Sequence, residues 1–314
     1  MFEIFKNKNV VNREKDKNFK HRILKTNIFR EPMEGEDSIL FGCGCFWGAE
    51  KCFWKLPGVI TTSVGYSGGK TINPTYNEVC SGYTGHAEVV KVVWDNKAID
   101  ISDLLKMFWE CHDPTQRNRQ GNDCGTQYRS AIYFNSKKQE EIIINSQKAF
   151  QKALAENNFG KIETEIRKID KYFYAEDYHQ QYLASFGSRQ YCSASPTKIN
   201  LKDFENCNYK LKKEIWENFN WEVDKCVLRS DNKPIKKNTS MAVLLLTVMS
   251  KMHINGVMIS TMYFGGTLYA TLASGATGEH ALLDSSFPDV TSKGRGYAIG
   301  AAPHSYFKKF SVRI

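Results

Sequence analysis

A ten-residue stretch, Phe41-Gly42-Cys43-Gly44-Cys45-Phe46-Trp47-Gly48-Ala49-Glu50, constrains this chain more than any other. Ile39 to Phe41 is a short apolar run that reads as a buried strand. Two glycines interrupt it, and Ala49 to Leu56 has the pattern of a helix, ended by Pro57-Gly58. Cys45 therefore falls where a strand hands over to a helix N-terminus. Unpaired backbone N–H groups and the helix dipole favour an anion there. A cysteine so placed is expected to have a lowered pKa and more of the thiolate, its reactive form. An arbitrary cysteine is more often a buried, inert side chain. The glycine turn, the helix start and the adjoining Phe46-Trp47 pair reverse that order here.

Further along, Val59 to Tyr66 alternates as a strand and ends at Ser67-Gly68-Gly69. Residues 67–86 carry little periodicity and read as a long loop, a length that usually marks function. Ala87 to Trp94 is β-rich. Ser102 can cap a helix running to Cys111, with Leu104, Leu105, Phe108 and Trp109 on one face. A polar loop, 115–126, leads to a strand from Tyr128 to Phe134. Ser136 and Gln139 have capping-box spacing for a helix reaching Asn157, and Lys161 to Lys168 alternates as a strand. The order β-α-β, loop, β-α, loop, β-α-β is that of a mixed α/β (α+β) chain, consistent with a ferredoxin-like two-layer plait with N- and C-terminal extensions.

Five blocks besides Gly44-Cys45-Phe46-Trp47-Gly48 carry a family resemblance. They are Asn73-Pro74-Thr75-Tyr76, Thr84-Gly85-His86-Ala87-Glu88-Val89, His112-Asp113-Pro114-Thr115, Gly121-Asn122-Asp123 with Gly125 to Ser130, and Ala175 to Gln180. In this order, across residues 37–185, they resemble the A-type peptide-methionine sulfoxide reductases. The resemblance implies the α/β plait, a catalytic domain over 37–186, no bound cofactor, and reduction of methionine-S-sulfoxide, free or in oxidised proteins. Thioredoxin is the implied donor, with dithiothreitol as its substitute in vitro.

The residues support that chemistry on their own terms. Cys45 is the candidate nucleophile. A sulfoxide oxygen that leaves must be protonated, and Glu88 opens an apolar strand, where burial keeps a carboxyl protonated. An exposed strand-edge charge is the plainer reading of Glu88 without the resemblance. Tyr76 and Tyr128 can donate O–H groups to a developing oxyanion, although Tyr128 reads equally as a packed strand residue. The resemblance gives both tyrosines that role and lets Asp123 order the site; Asp123 can also simply stabilise its turn. Phe46 and Trp47 can wall the substrate's methyl group, or pack as core.

The first step would leave Cys45 as a sulfenic acid, which a second thiol condenses with to give a disulfide. Family members place recycling cysteines near the C-terminus of the catalytic domain. Cys192 is the first candidate, with Cys207 and Cys226 as resolving or relay alternatives. Ser193-Ala194-Ser195-Pro196 departs from the family's glycine-rich tail. His86, His112 and His179 show no ligand spacing with one another or with the cysteines, so no metal site is expected.

Nine cysteines, an odd count, with no apolar leader ahead of them, point to reduced thiols rather than a disulfide framework, and to a cytoplasmic or mitochondrial location. Residues 1–36 are basic and read as a flexible extension, or as a transit peptide weakened by Glu3, Glu14 and Asp16. The net charge of +9 lacks a Lys/Arg run long enough for nucleic acid. Residues 187–238 form a polar extension with aromatics at Trp216, Phe219 and Trp221. Residues 239–314 are apolar and glycine-rich, and the family resemblance does not cover them. Met252 to Ala276 lacks Asp, Glu, Lys and Arg and is long enough to span a bilayer; a small appended domain is the other reading. A monomer is expected. Two competing functions are a Cys-His hydrolase, which needs an imidazole serving Cys45, and a membrane-tethered interaction protein with an inactive reductase domain.

Overall fold

The computed structural model describes residues 18–221 and 227–236, and the backbone of seven strands between 252 and 311. The chain divides into two compact units, residues 1–236 and 237–314.

The first unit is built on a six-stranded mixed sheet. Its strands are β1 (Glu36–Cys43), β2 (Val59–Ser67), β3 (Ala87–Asp95), β6 (Ser130–Phe134), β7 (Glu165–Lys168) and β8 (Tyr172–Tyr174), in the order β7-β6-β1-β3-β2-β8. Only β6 and β7 run parallel. The helices are α1 (Phe46–Trp54), α2 (Tyr76–Cys80), α3 (Ile101–Glu110), α4 (Lys137–Glu156) and α5 (Lys213–Trp216). A two-stranded ribbon, β4 (Arg119–Gln120) with β5 (Asp123–Cys124), stands apart from the sheet.

Side-chain alternation divides the sheet into two faces. Phe41, Cys43, Val64, Tyr66, Val90, Val92, Trp94 and Ile132 join residues of α1, α3 and α4 in the main core. Leu40, Ala87, Val89, Ala131 and Tyr133 make a smaller cluster, covered by Ile169 and Tyr172. Glu88 pairs across with Tyr66, so it shares the main-core face, beside the entry to α1. Residues 187–221 and 227–236 are part of the same packing: Leu201, Leu211, Ile215 and Val227 are buried in the main core.

Several elements differ from their sequence reading. Helix α1 begins at Phe46, three residues earlier than expected, because Gly44 (φ +88°) makes the turn and Cys45 already occupies the N-cap. The 67–86 segment contains α2, capped by Thr75 and Glu78 in a reciprocal box. Asp100, not Ser102, caps α3, with Asp103 returning to the Asp100 N–H. Ser136 caps α4 as expected, but the Gln139 side chain turns to the Asn135 N–H and the Ser38 carbonyl. Tyr128 lies in a 3₁₀ turn ahead of β6, and only Glu165–Lys168 of the expected 161–168 strand pairs. The basic N-terminal extension is not loose throughout, because His21 and Ile28 are buried.

In the second unit, five antiparallel strands lie in the order Ala298–Ile299, His280–Asp284, Thr267–Ser274, Val257–Phe264, Met252–Ile254. The apolar stretch read as a candidate membrane span is therefore divided among strands, and no described helix is long and apolar enough to cross a membrane.

Candidate active site

Cys45 sits at the N-cap of α1 and is 8% exposed. The turn before it is tight: a Cβ on Gly44 would lie 2.5 Å from the Gln120 side chain. Gln120 is itself fixed by Asp113, donating from Nε2 to its carbonyl (2.9 Å) and accepting its N–H (3.2 Å). The Trp47 and Gly48 N–H groups favour the Cys45 thiolate, although neither makes a cap hydrogen bond to it. Burial and the nearby Glu88 carboxyl outweigh them and push the thiol well above its ordinary pKa. The sequence expectation of a lowered pKa is thus overturned, since desolvation of the anion exceeds the help from the helix terminus.

Glu88, 1% exposed, accepts the Phe46 N–H at Oε2 (3.0 Å). Burial raises its pKa from 4.5 to about 8; the Phe46 N–H opposes the shift and the Asp123 charge adds to it. A carboxyl that is neutral at neutral pH is therefore held at the N–H of Phe46, the residue after Cys45.

The two tyrosines come to the same place. Both phenols are pushed up by burial and then by Glu88, and Tyr128 also responds to Cys80, Asp123 and Cys45. Both are protonated donors. Tyr76 is positioned by Glu176, whose Oε1 accepts the Tyr76 N–H (2.9 Å) while Oε2 accepts the Tyr66 hydroxyl (2.9 Å). Asp123 accepts the Tyr191 hydroxyl at Oδ1 (2.7 Å), and its buried Oδ2 has no hydrogen-bond partner among the described residues.

Phe46 is buried and Trp47 half-buried. The Trp47 indole N–H donates to His179 Nδ1 (3.1 Å) and its ring stacks on Tyr182 at 3.8 Å. The His179 ring also lies 5.1 Å from Phe46 and 4.5 Å from Tyr76. Sequence reasoning weighed His179 only as a metal ligand and missed Glu176 and Glu50. Glu176 lies in the Ala175–Gln180 block, from which Glu176 and His179 turn to this wall, and Glu50 closes the 41–50 stretch.

Glu50 anchors that wall from below. It is fully buried, and burial raises its pKa to about 7. Its Oε1 accepts from Gln181 Nε2 (2.7 Å) and the Thr62 hydroxyl (3.0 Å), and Oε2 accepts the Gln181 N–H (2.8 Å). His21 Nδ1 accepts the Ile23 and Leu24 N–H groups, so its Nε2 donates to Thr62 (2.9 Å). Glu50→Ala strands three buried donors, and a loss of about 2–4 kcal/mol in chemical denaturation is expected. Glu50→Gln should cost less.

The recycling candidates separate. Cys192, 8% exposed, is disulfide-bonded. Its neighbours pack on the β4–β5 ribbon beside Cys45: Tyr191 on Asp123, and the Ser195 N–H on Gln120 Oε1 (3.1 Å). Cys207 is a free, half-buried thiol whose sulfur accepts the Phe204 N–H. Cys226 lies outside the described residues. The carboxyls and N–H groups acting on Cys45 include no imidazole among the described residues. His86 is occupied in holding the 67–86 segment, through the Gly69 N–H (3.0 Å) and the Thr71 carbonyl (2.7 Å).

A buried cysteine at a helix start, a carboxyl held by the next residue's N–H and two tyrosines acted on by that carboxyl are gathered in one place. The peptide methionine sulfoxide reductase family matches residues 37–212, more than half the chain, and the chain belongs to that family. Peptide methionine sulfoxide reductase MsrA of Vibrio vulnificus is 55% identical over 179 residues, 57% of this chain and 85% of its own length. The mitochondrial peptide methionine sulfoxide reductase of Homo sapiens is 52% identical over 181 residues, 58% of this chain and 77% of its own. Among solved structures, methionine sulfoxide reductase A of Corynebacterium diphtheriae aligns with TM-score 0.50 and 41% identity over 58% of this chain and 89% of its own. The chain is an oxidoreductase that reduces methionine sulfoxide in repair, of the peptide-methionine (S)-S-oxide reductase type.

Proposed function

We propose that Cys45 reduces methionine-S-sulfoxide with Glu88 as the acid. The observation that carries this is the 3.0 Å bond from the Phe46 N–H to Glu88, which sets a neutral carboxyl beside Cys45. Glu88 gives its proton to the sulfoxide oxygen, Cys45 sulfur attacks, and the thiol proton returns to Glu88. The S–O bond is transferred: thiol and sulfoxide become sulfenic acid and thioether. Tyr76 and Tyr128 donate to the oxygen as it gains charge. Asp123 orders this side through Tyr191, and Phe46 and Trp47 receive the methyl group. The positive sulfur of the protonated sulfoxide favours the Cys45 thiolate that burial otherwise suppresses.

Cys192 then condenses with the sulfenic acid, forming the Cys45–Cys192 disulfide and water. A relay thiol, for which Cys226 is the candidate, attacks the Cys192 sulfur and expels the Cys45 thiolate; Cys45 is then free with Cys192 still oxidised, as it is found here. A dithiol donor, thioredoxin or dithiothreitol, restores the thiols. Cys192→Ser should keep a single turnover of sulfoxide per chain and lose multiple turnover with thioredoxin. Single-turnover quench against steady state separates the two.

The β6-β1-β3-β2 order with antiparallel neighbours supports reading the sheet as a ferredoxin-like plait. Residues 37–186 serve as the catalytic segment and 187–238 as the recycling segment, in a monomer acting in cytoplasm or mitochondria. The deciding experiment offers purified protein a peptide carrying either the S or the R sulfoxide, with dithiothreitol. Turnover of S alone is expected; equal turnover of R, or none by folded protein, overturns the reading.

A further inference from the structure

We propose that Arg129 is a positioning residue for the reaction: from behind the sheet, its guanidinium ties the turn that carries Tyr128 to the head of the strand that carries Glu88. The inference rests on the roles given above to Tyr128 and Glu88. Strand β1 runs towards Cys45 between two neighbours. β6 pairs with it on one side, with Ser130 opposite Cys43, and β3 on the other, with Val90 opposite Phe41. Tyr128 and Glu88 therefore flank the end of β1 from opposite sides, and β1 separates them. Gly42 marks how close the flanks come: a Cβ there would lie 3.1 Å from the Arg129 carbonyl and 3.3 Å from the Glu88 carbonyl.

The Arg129 side chain bridges the two flanks. Its Nη1 donates to the carbonyl of Thr126 (2.8 Å), the first residue of the 3₁₀ turn Thr126–Tyr128. Its Nη2 donates to the carbonyl of Gly85 (3.1 Å), just ahead of β3, and to the Tyr133 hydroxyl (2.9 Å). Its Nε donates to Glu165 Oε2 (2.7 Å), and the other oxygen of that carboxylate pairs with Arg167 (2.7 Å). Tyr133 belongs to the smaller cluster, so the clamp lies on the face of the sheet away from the Glu88 carboxyl. A planar fork can meet acceptors from several elements at once, whereas an ammonium is a point charge. The two ends differ in stiffness. β3 is held on both sides, by β1 and β2. The turn is one short 3₁₀ segment, closed by the Tyr128 N–H on the Gly125 carbonyl (3.0 Å) and the Arg129 N–H on the Thr126 carbonyl (3.3 Å). Such segments have poor hydrogen-bond geometry, so the turn is the end that Arg129 steadies.

The test is a double-mutant cycle on the full chain, read by single-turnover quench. There the amplitude counts the chains that react and the rate constant describes those chains alone. Tyr128→Phe removes the O–H and should slow the sulfoxide step by about 10²-fold, the usual effect of one oxyanion donor. Arg129→Lys keeps the charge and loses the fork. It should slow the step by about 10²-fold in the wild-type background, the scale of a 1 Å misplacement. In Tyr128→Phe it should change the rate constant by less than about twofold, because no donor is left to place. Glu165→Gln, at a half-buried side chain, is the second variant where Arg129→Lys does not fold. It loosens the same guanidinium and should give a smaller loss that also vanishes in Tyr128→Phe. Losses that multiply instead, or a loss of amplitude alone, overturn the proposal and leave Tyr128 its role. A Tyr128→Phe variant that reacts at the wild-type rate overturns both.

Discussion

Cys45→Ser should abolish turnover, lowering kcat by at least about 10³-fold, the scale on which an enzyme's rate depends on its nucleophile. The fold should survive. Cys45 occupies the N-cap of α1, and serine is a preferred N-cap residue whose oxygen readily accepts from the N2 and N3 N–H groups. Gly48 and Trp47 supply those N–H groups, and the exchange of sulfur for oxygen removes volume without adding a charge. The variant should therefore melt within a few degrees of the wild type and still bind sulfoxide, because Trp47, His179, Tyr182 and Tyr76 are untouched. Calorimetric binding of a sulfoxide peptide, beside a turnover assay, separates the two properties. Retained turnover would mean that another thiol does the chemistry, and Cys80 would be the first to examine, since it lies close enough to act on Tyr76 and Tyr128.

Much of the site was legible because its signals are local. The glycine turn before Cys45 and the apolar run after Glu88 both follow from short-range pattern. Thr75 with Glu78 has capping-box spacing, a local signal for α2 inside the stretch that reads as a long loop. Asn255-Gly256 and Gly265-Gly266, dipeptides that favour two-residue hairpins, divide the stretch that was weighed as a membrane span. What remained out of reach is non-local. The thiol pKa of Cys45 depends on a carboxyl 43 positions on and on burial by the whole sheet. Glu50 reads as a surface helix residue until Gln181 and Thr62 close over it.

Glu88→Gln should lower kcat by about 10²–10⁴-fold, the usual contribution of a positioned acid, with a much smaller change in KM. The amide oxygen can still accept the Phe46 N–H, so α1 and the nucleophile keep their place; what is lost is the proton for the departing oxygen. The pH profile carries a second signature. The wild-type acid is protonated below about 8 and ionises above it, so the Glu88-dependent part of kcat should fall as pH rises through about 8. In Glu88→Gln that limb should vanish. Stability moves with the same group. The folded pKa is raised above the unfolded value, near 4.5, so the folded chain holds a proton that the unfolded chain releases between those two values. Folding therefore weakens as pH rises from about 4.5 to about 8 and levels off above that. Glu50, raised to about 7 by burial, works in the same direction, so part of the slope should persist in Glu88→Gln. That variant should accordingly be more stable than wild type at pH 8 while far less active. A carboxyl that costs stability where the enzyme works is what a proton donor requires and a merely structural glutamate does not. If urea denaturation at pH 5 and pH 8 shows the same slope for both proteins, Glu88 is not the buried acid of this site.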